Sequence, residues 1–249
     1  MSTRPIAAVV LAAGKGTRMK SDTHKVLHPI AGRPMIEFLL ESVAALSPTR
    51  TVMVVGALRE QLEPALAGRG VDFAVQAEQL GTAHAVLQAQ GALAGFDGDV
   101  LLLSGDVPFV RPDTMRALLE ALHAPERPAA VVMGFRPADP AAYGRIIADP
   151  DGRVRKMVEF KDASADERAV GLCNANLFAV RAADLWPLLK RIGNANAQGE
   201  YYLPDLVTIA IADGRPVRVI EGDPAEATGP NSRAEIAEAE ALWQAGRRA

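Results

Sequence analysis

The chain has 249 residues, 49% hydrophobic and 23% charged, with a formal net charge of −3. That is the composition of a globular domain with enough apolar residue for a full core, and its near-neutral balance argues against a protein that coats nucleic acid. The length suits one large α/β domain, with or without a small lobe, better than two independent ones.

Cys173 is the one cysteine. It has no partner for an intrachain disulfide and no zinc-spaced Cys/His cluster around it, so a reducing, cytoplasmic setting is expected. Residues 1–5 carry a single basic residue, and the apolar run after them ends in a Gly/Lys/Arg loop and not in a cleavage site. No apolar run approaches the ~20 residues of a membrane span, so no membrane partner is expected.

Strand and helix signals alternate along the chain. Ile6 to Leu11 reads as a buried first strand. Gly32-Arg33-Pro34 then opens a helix with Met35, Leu39, Val43 and Leu46 on one face. Thr51 to Val55 is a second strand, Glu60 to Ala67 a short helix, and Val71 to Val75 a third strand. Gly81-Thr82 precedes a small-residue helix, Ala83 to Ala92; Val100 to Leu103 is an apolar strand closed by Ser104-Gly105-Asp106. Pro112 starts a helix through Leu122, and Ala129 to Gly134 is again a strand.

The second half begins with strands at Arg145 to Ile147 and Val154 to Glu159 around an Asp149-Pro150-Asp151-Gly152 turn. A strand at Leu172 to Val180, a helix at Ala182 to Ile192, and a polar loop at Asn194 to Glu200 follow. The last elements are a helix at Leu203 to Ala212, a strand at Val217 to Ile220 and a helix at Ser232 to Gln244. The alternation predicts a Rossmann-like α/β fold: a mostly parallel mixed sheet flanked by helices, with a small hairpin-bearing lobe. In such sheets the ligand sits beyond the carboxyl ends of the strands.

The loop after the first strand draws attention on those grounds. Gly14 and Gly16 stand among Lys15, Arg18, Lys20 and Lys25, a small cationic turn in which backbone N–H groups approach a phosphate closely. The P-loop pattern is absent, since no Gly-Lys-Ser/Thr stands at the required offset. The dinucleotide fingerprint fails too, because Met19 replaces its third glycine and Val54-Val55-Gly56-Ala57 offers no acidic ribose ligand. Glycine at a strand end also serves turn geometry alone, and Lys20 also reads as a solvated surface lysine.

Further motifs in order make the chain recognisable. Leu11 to Met19, Lys25-Val26-Leu27 and Gly32 to Met35 resemble the signature of sugar-phosphate nucleotidyltransferases. The resemblance is closer to the N-terminal pyrophosphorylase domain of the bifunctional N-acetylglucosamine-1-phosphate uridylyltransferase/glucosamine-1-phosphate acetyltransferase family. It continues through Gln76 to Thr82, Gly105 to Pro108, Tyr143 to Ile146, Glu159 with Lys161-Asp162, Asn174, Asn196 to Tyr202 and Asn231.

That resemblance implies roles residue by residue. Leu11, Ala12, Ala13, Gly14, Gly16, Gln76, Gln79, Gly81 and Thr82 would hold the nucleotide. Arg18 and Lys25 would clamp the triphosphate and, with Asp106, form the catalytic set. Asp106 and Asn231 would hold Mg²⁺, an oxygen-only pair suited to a hard cation. Ser104, Gly105, Gly144, Glu159, Asn174, Glu200 and Tyr201 would face the sugar phosphate. The implied reaction joins UTP and a sugar 1-phosphate, N-acetylglucosamine 1-phosphate first among them, to give a nucleotide sugar and pyrophosphate. Another sugar 1-phosphate or nucleotide, or a non-catalytic nucleotide-sugar-binding protein, are the competing readings.

Plainer roles stand beside these. Asp106 ends a buried strand and also suits a turn cap; Glu159 also reads as a rim charge; Tyr201 and Tyr202 also read as core residues. His24, His28, His84 and His123 lack metal spacing and read as structural, and Cys173 as a small core residue.

Residues 1–249 are read as one nucleotidyltransferase domain: about 1–135 the nucleotide-binding half, about 136–231 the sugar-phosphate-binding half, and 232–249 a C-terminal helix. Nothing resembles the hexapeptide repeats of the family's left-handed β-helix. Acetyl transfer is therefore not expected, and a monomer or weak oligomer is. Ser104 stands where the family commonly has tyrosine, and Asn174-Ala175-Asn176 replaces Asn-Thr-Gly or Asn-Ser-Gly, so the acceptor sugar is the least determined part.

Overall fold

The computed structural model describes residues 4–14, 16–227 and 229–246, so Lys15 of the cationic loop lies outside the described residues. The first strand, β1 (Ile6–Ala12), is followed by single 3₁₀ turns at Thr17–Met19 and Lys25–Leu27. A two-residue hairpin, β2 (Pro29–Ile30) with β3 (Arg33–Pro34), leads into α1 (Met35–Ala44). Then come β4 (Arg50–Val55), α2 (Arg59–Ala65), β5 (Asp72–Val75), α3 (Thr82–Gln88), β6 (Asp99–Ser104), α4 (Pro112–Ala121) and β7 (Ala130–Phe135).

The second half contributes β8 (Arg145–Ala148), β9 (Val154–Val158), α5 (Ala165–Arg168), β10 (Cys173–Arg181), α6 (Ala182–Leu189), α7 (Asp205–Ala212), β11 (Val217–Glu221), α8 (Pro224–Ala227) and α9 (Arg233–Gly246). Among the described residues no helix is long and apolar enough to cross a membrane.

Seven strands lie in the order β11-β7-β10-β6-β1-β4-β5, and the β8–β9 hairpin joins the same sheet through β10. β1 is parallel to both neighbours, and β4–β5 and β7–β11 are parallel pairs. β10 runs antiparallel between β6 and β7, so the sheet is mixed but mostly parallel. A strand from beyond residue 135 thus sits in the middle of the sheet, and both halves share it.

The apolar runs explain why this sheet is covered on both faces. Val100 to Leu103 of β6 and Ala7 to Val10 of β1 have no exposed surface. Successive strand residues point to opposite faces. Ala7 and Val9 pack with Ala83 and Val86 of α3, Leu185 of α6 and Leu206 of α7. Ala8 and Val10 pack on the other face with Leu39 of α1, Leu62 of α2 and Leu118 of α4. Each large side chain so buried contributes about 1.5–3 kcal/mol.

Several elements differ from the sequence expectation: the β2–β3 hairpin and the short helices α5 and α8 are additional, Pro34 lies in β3 ahead of α1, and α3 ends at Gln88 and continues only as turns, short of the expected Ala92. The local signal for α5 is a capping box: Ser164 Oγ accepts from the Glu167 N–H (3.2 Å) while Glu167 Oε2 accepts from the Ser164 N–H (2.8 Å).

Candidate active site

The polar loops gather where β1, β5 and β6 end. β1 passes into Ala13 and Gly14, and the chain returns through Gly16 at φ +58°. A Cβ on Gly16 would stand 2.7 Å from the Lys25 Cβ, so only glycine lets this loop fold down on the Lys25 turn. His24 fastens the two. It is buried, its Nδ1 accepts from the Val26 N–H (3.3 Å), and that leaves Nε2 to donate to the Ala12 carbonyl (3.1 Å). Burial holds its pKa below the ordinary histidine range, although the Ala12 hydrogen bond opposes the shift. Its backbone N–H donates to Gln61 Oε1 at 2.8 Å, tying the turn to α2.

The charged centre is built from three distant segments. Asp106 follows β6 in a turn held by the Gly105 N–H on the Leu11 carbonyl (2.9 Å). Lys25 Nζ donates to Asp106 Oδ2 at 2.5 Å and to Asn231 Oδ1 at 2.7 Å. Arg18 donates to the same Asn231 oxygen at 2.8 Å. Asn231 is itself aimed: its amide donates to the Gly229 carbonyl (3.0 Å), and its N–H donates to Glu235 Oε2 (2.9 Å) at the start of α9. Ser232 Oγ accepts from the Glu235 N–H (3.2 Å) and donates to Glu235 Oε1 (2.8 Å), a side-chain cap at the start of α9.

These contacts also test the fit of a hard cation. A carboxylate oxygen and an amide oxygen converge on one positive centre, the Lys25 ammonium, so the pair presents two oxygens to a single point. Mg²⁺ takes such oxygens, binds by few protein ligands, and keeps waters or substrate oxygens for the rest. No group of three or more His, Cys, Asp or Glu side chains suited to a metal occurs among the described residues. The donor set therefore fits a cation shared with a phosphorylated substrate, not a closed structural site.

The opposite wall comes from β5 and α3. Gln76 is buried, and its Nε2 lies 3.0 Å from the Gly81 carbonyl and 3.0 Å from His84 Nδ1. Gly81 precedes α3 at φ +115° and ψ 174°, a conformation essentially confined to glycine. Thr82 Oγ1 accepts from the Leu203 N–H (2.9 Å), joining this wall to the segment that carries Glu200 and Tyr201.

Between the walls lies a cavity of about 400 Å³. It is lined by all nine residues expected to hold the nucleotide, Leu11, Ala12, Ala13, Gly14, Gly16, Gln76, Gln79, Gly81 and Thr82. Arg18, Lys25, Asp106, Ser104 and Glu200 line it too, as do His24, Val26 and Ala85, which the sequence reading did not select for the site. His24 carried only a weak signal, its place one residue before Lys25.

Gly144, Glu159 and Asn174 form a separate group beside it. Asn174 donates its backbone N–H to the Gly144 carbonyl (2.9 Å), and a Cβ on Gly144 would lie 3.3 Å from Glu159 Oε1. The Asn174 amide is occupied locally: it donates to Asn176 Oδ1 (2.8 Å) and accepts from the Asn176 N–H (2.9 Å) across the irregular part of β10. Glu159 has its pKa raised by burial first, and further by Asp162, Asp205 and the cavity-lining Glu200. Buried Arg145 steadies the approach to Gly144 by donating to the carbonyls of Pro140 (3.3 Å), Ala141 (3.2 Å) and Tyr143. Tyr201 contributes chiefly backbone: its N–H donates to the Leu80 carbonyl (2.8 Å) and its carbonyl accepts from Ala83 (2.9 Å).

Comparison with known proteins places these features in context. The profile of the MobA-like NTP transferase domain matches residues 8–168. The chain is 67% identical over 246 residues to the Bifunctional protein GlmU of Novosphingobium aromaticivorans, covering 98% of this chain and 54% of that one. It is 62% identical over 244 residues to the Bifunctional protein GlmU of Sphingopyxis alaskensis, with coverages of 98% and 54%. The chain thus spans about half the length of the curated relatives it matches. A solved structure described as UDP-glucose pyrophosphorylase complexed with UDP-glucose shares the fold, with a TM-score of 0.77 over 97% of this chain and 99% of that one, at 18% identity.

Proposed function

This chain belongs to the family of MobA-like NTP transferase domains, an enzyme class of nucleotidyltransferases, and we propose that it transfers UMP from UTP to N-acetylglucosamine 1-phosphate. The products are UDP-N-acetylglucosamine and pyrophosphate, formed on a single domain in the cytoplasm. The observation that carries the reading is the convergence of Arg18, Lys25, Asp106 and Asn231 at one end of a cavity whose other wall is the glutamine- and glycine-bearing segment 76–82.

The chemistry asks for positioning and charge neutralisation. The acceptor phosphate is an anion at neutral pH, so no general base and no covalent enzyme intermediate is needed. An acceptor oxygen forms a bond to the α-phosphorus of UTP, the bond from that phosphorus to the β-bridging oxygen breaks, and the electron pair leaves with pyrophosphate. Backbone N–H groups of the 11–16 loop suit the phosphates, and Gln76 and Gln79 offer amide donors and acceptors to a base edge. Arg18 and Lys25 supply positive charge where the leaving group gains negative charge. Asp106 and Asn231 would hold Mg²⁺, which when bound offsets charge on the reacting phosphates. Glu159 beside Gly144 would accept hydrogen bonds from sugar hydroxyls.

A panel of nucleoside triphosphates and sugar 1-phosphates, read by pyrophosphate release in magnesium, tests this. UTP with N-acetylglucosamine 1-phosphate should give the largest kcat/KM. A preference for another acceptor would trace to Ser104 and the 174–176 segment; no release with any pair would overturn nucleotidyl transfer.

A further inference from the structure

Lys25 does more in this fold than wait for a phosphate. Its side chain is only 11% exposed, and its ammonium rests against both oxygens that form the candidate metal pair, Asp106 Oδ2 at 2.5 Å and Asn231 Oδ1 at 2.7 Å. Arg18, the neighbouring cation, is hydrogen-bonded to Asn231 and not to Asp106 among the described contacts. We infer that the Lys25 ammonium is a built-in competitor for the metal: in the nucleotide-free protein it occupies the coordination point of Asp106 and Asn231, and the triphosphate must draw it away before the cation binds tightly. The inference rests on the proposed nucleotidyl transfer only for the identity of the metal site.

The physical ground is that a dication taking Asp106 Oδ2 and Asn231 Oδ1 would stand beside the ammonium that already contacts both oxygens, and like charges so close repel in a partly buried site. Metal binding at those oxygens displaces the Lys25 ammonium or leaves it beside a dication, and either cost weakens it. A triphosphate reverses the balance. Its oxygens offer the ammonium and the Arg18 guanidinium new acceptors, which frees Asp106 and Asn231. Metal and triphosphate then favour each other's binding, and the coupling is reciprocal by linkage. The protein would hold little metal without substrate and would acquire both together.

The test is Mn²⁺ binding to the whole, nucleotide-free chain, followed by the electron paramagnetic resonance signal of free Mn²⁺, with thermal melts to confirm that each variant folds. Lys25→Met and Lys25→Gln should bind Mn²⁺ at least about tenfold more tightly than the parent, because the competing charge is gone. Lys25→Arg, which keeps the charge, should stay close to the parent. Arg18→Met should tighten binding less than Lys25→Met, which separates direct competition from a general field effect. Asp106→Asn should abolish the binding. If Asp106-dependent Mn²⁺ binding is equal or weaker in Lys25→Met, or if Arg18→Met tightens it as much, direct competition is overturned while the metal site stands. If no variant binds Mn²⁺ through Asp106, with or without UTP, the metal-site reading itself falls and takes the inference with it.

Discussion

Gly81 and Tyr201 are pressed backbone to backbone: a Cβ on Gly81 would lie 2.5 Å from the Tyr201 carbonyl oxygen and 2.7 Å from its amide nitrogen. With the Tyr201–Leu80 and Ala83–Tyr201 hydrogen bonds, this contact fixes the Glu200-bearing segment against the β5–α3 wall of the cavity. Gly81→Ala should destabilise the fold by about 1–3 kcal/mol for backbone conformation alone, with the clash adding to it. UTP affinity should fall with it. Denaturant unfolding and nucleotide titration measure the two effects; an unchanged unfolding midpoint would contradict the strain assigned to this glycine.

Removing the cations separates chemistry from folding. Arg18→Ala and Lys25→Ala should each lower kcat by about 10²–10³-fold, the usual cost of losing one electrostatic donor to developing charge. Far-UV circular dichroism should stay unchanged, since neither side chain belongs to the hydrophobic core. Asp106→Ala should abolish the magnesium-supported rate, and a rate left intact would remove Asp106 from the metal pair.

His24 predicts a pH effect on stability. Its folded pKa lies below the ordinary value of 6.5 because burial disfavours the imidazolium, so the unfolded chain binds the proton more readily. Its contribution is therefore fully present above the unfolded pKa and is lost as pH falls through the folded one. His24→Gln should flatten the part of the Tm-against-pH curve that falls on acidification below the unfolded value. It should also loosen the hold on Ala12 and raise the KM for UTP.

Glu159 has the opposite sign. Burial, then Asp162, Asp205 and Glu200, push its carboxyl above the usual range, so the folded state binds the proton more readily. Stability falls as pH rises from the unfolded toward the folded pKa, and above that range the charged, buried form destabilises the protein. Glu159→Gln should raise Tm at neutral pH, with the gain vanishing in acid. Glu159→Ala should raise the KM for the sugar phosphate far more than that for UTP. Equal changes in both constants would remove it from the acceptor side.

Much of the architecture was legible in the chain because it rests on short-range pattern. The apolar runs at Ile6 to Leu11 and Val100 to Leu103 have the length and flanking glycines of buried parallel strands, and they are β1 and β6. The antiparallel insertion of β10 between β6 and β7 left no such trace, since a strand buried on both faces reads the same in either direction. Nor did the Asn174 amide announce its partner. A buried amide must be satisfied, but only the irregular pairing of β10 shows that Asn176, at φ +56°, satisfies it.

The sequence by itself determined the alternating α/β order, the glycine-bearing cationic loop after the first strand, and the residue types that the proposed nucleotidyl transfer would use. These are properties of residues close together in the chain, where helix and strand periods and turn chemistry act. Only the tertiary structure decided that Arg18, Lys25, Asp106 and Asn231 meet. Arg18 and Asn231 are 213 positions apart, and their contact exists because a β6 turn, a 3₁₀ turn and the capped start of α9 are packed at the same end of one sheet. It also decided that the Lys25 ammonium rests on both Asp106 and Asn231. No local pattern encodes that, because it follows from opposite charges brought together in a partly buried site.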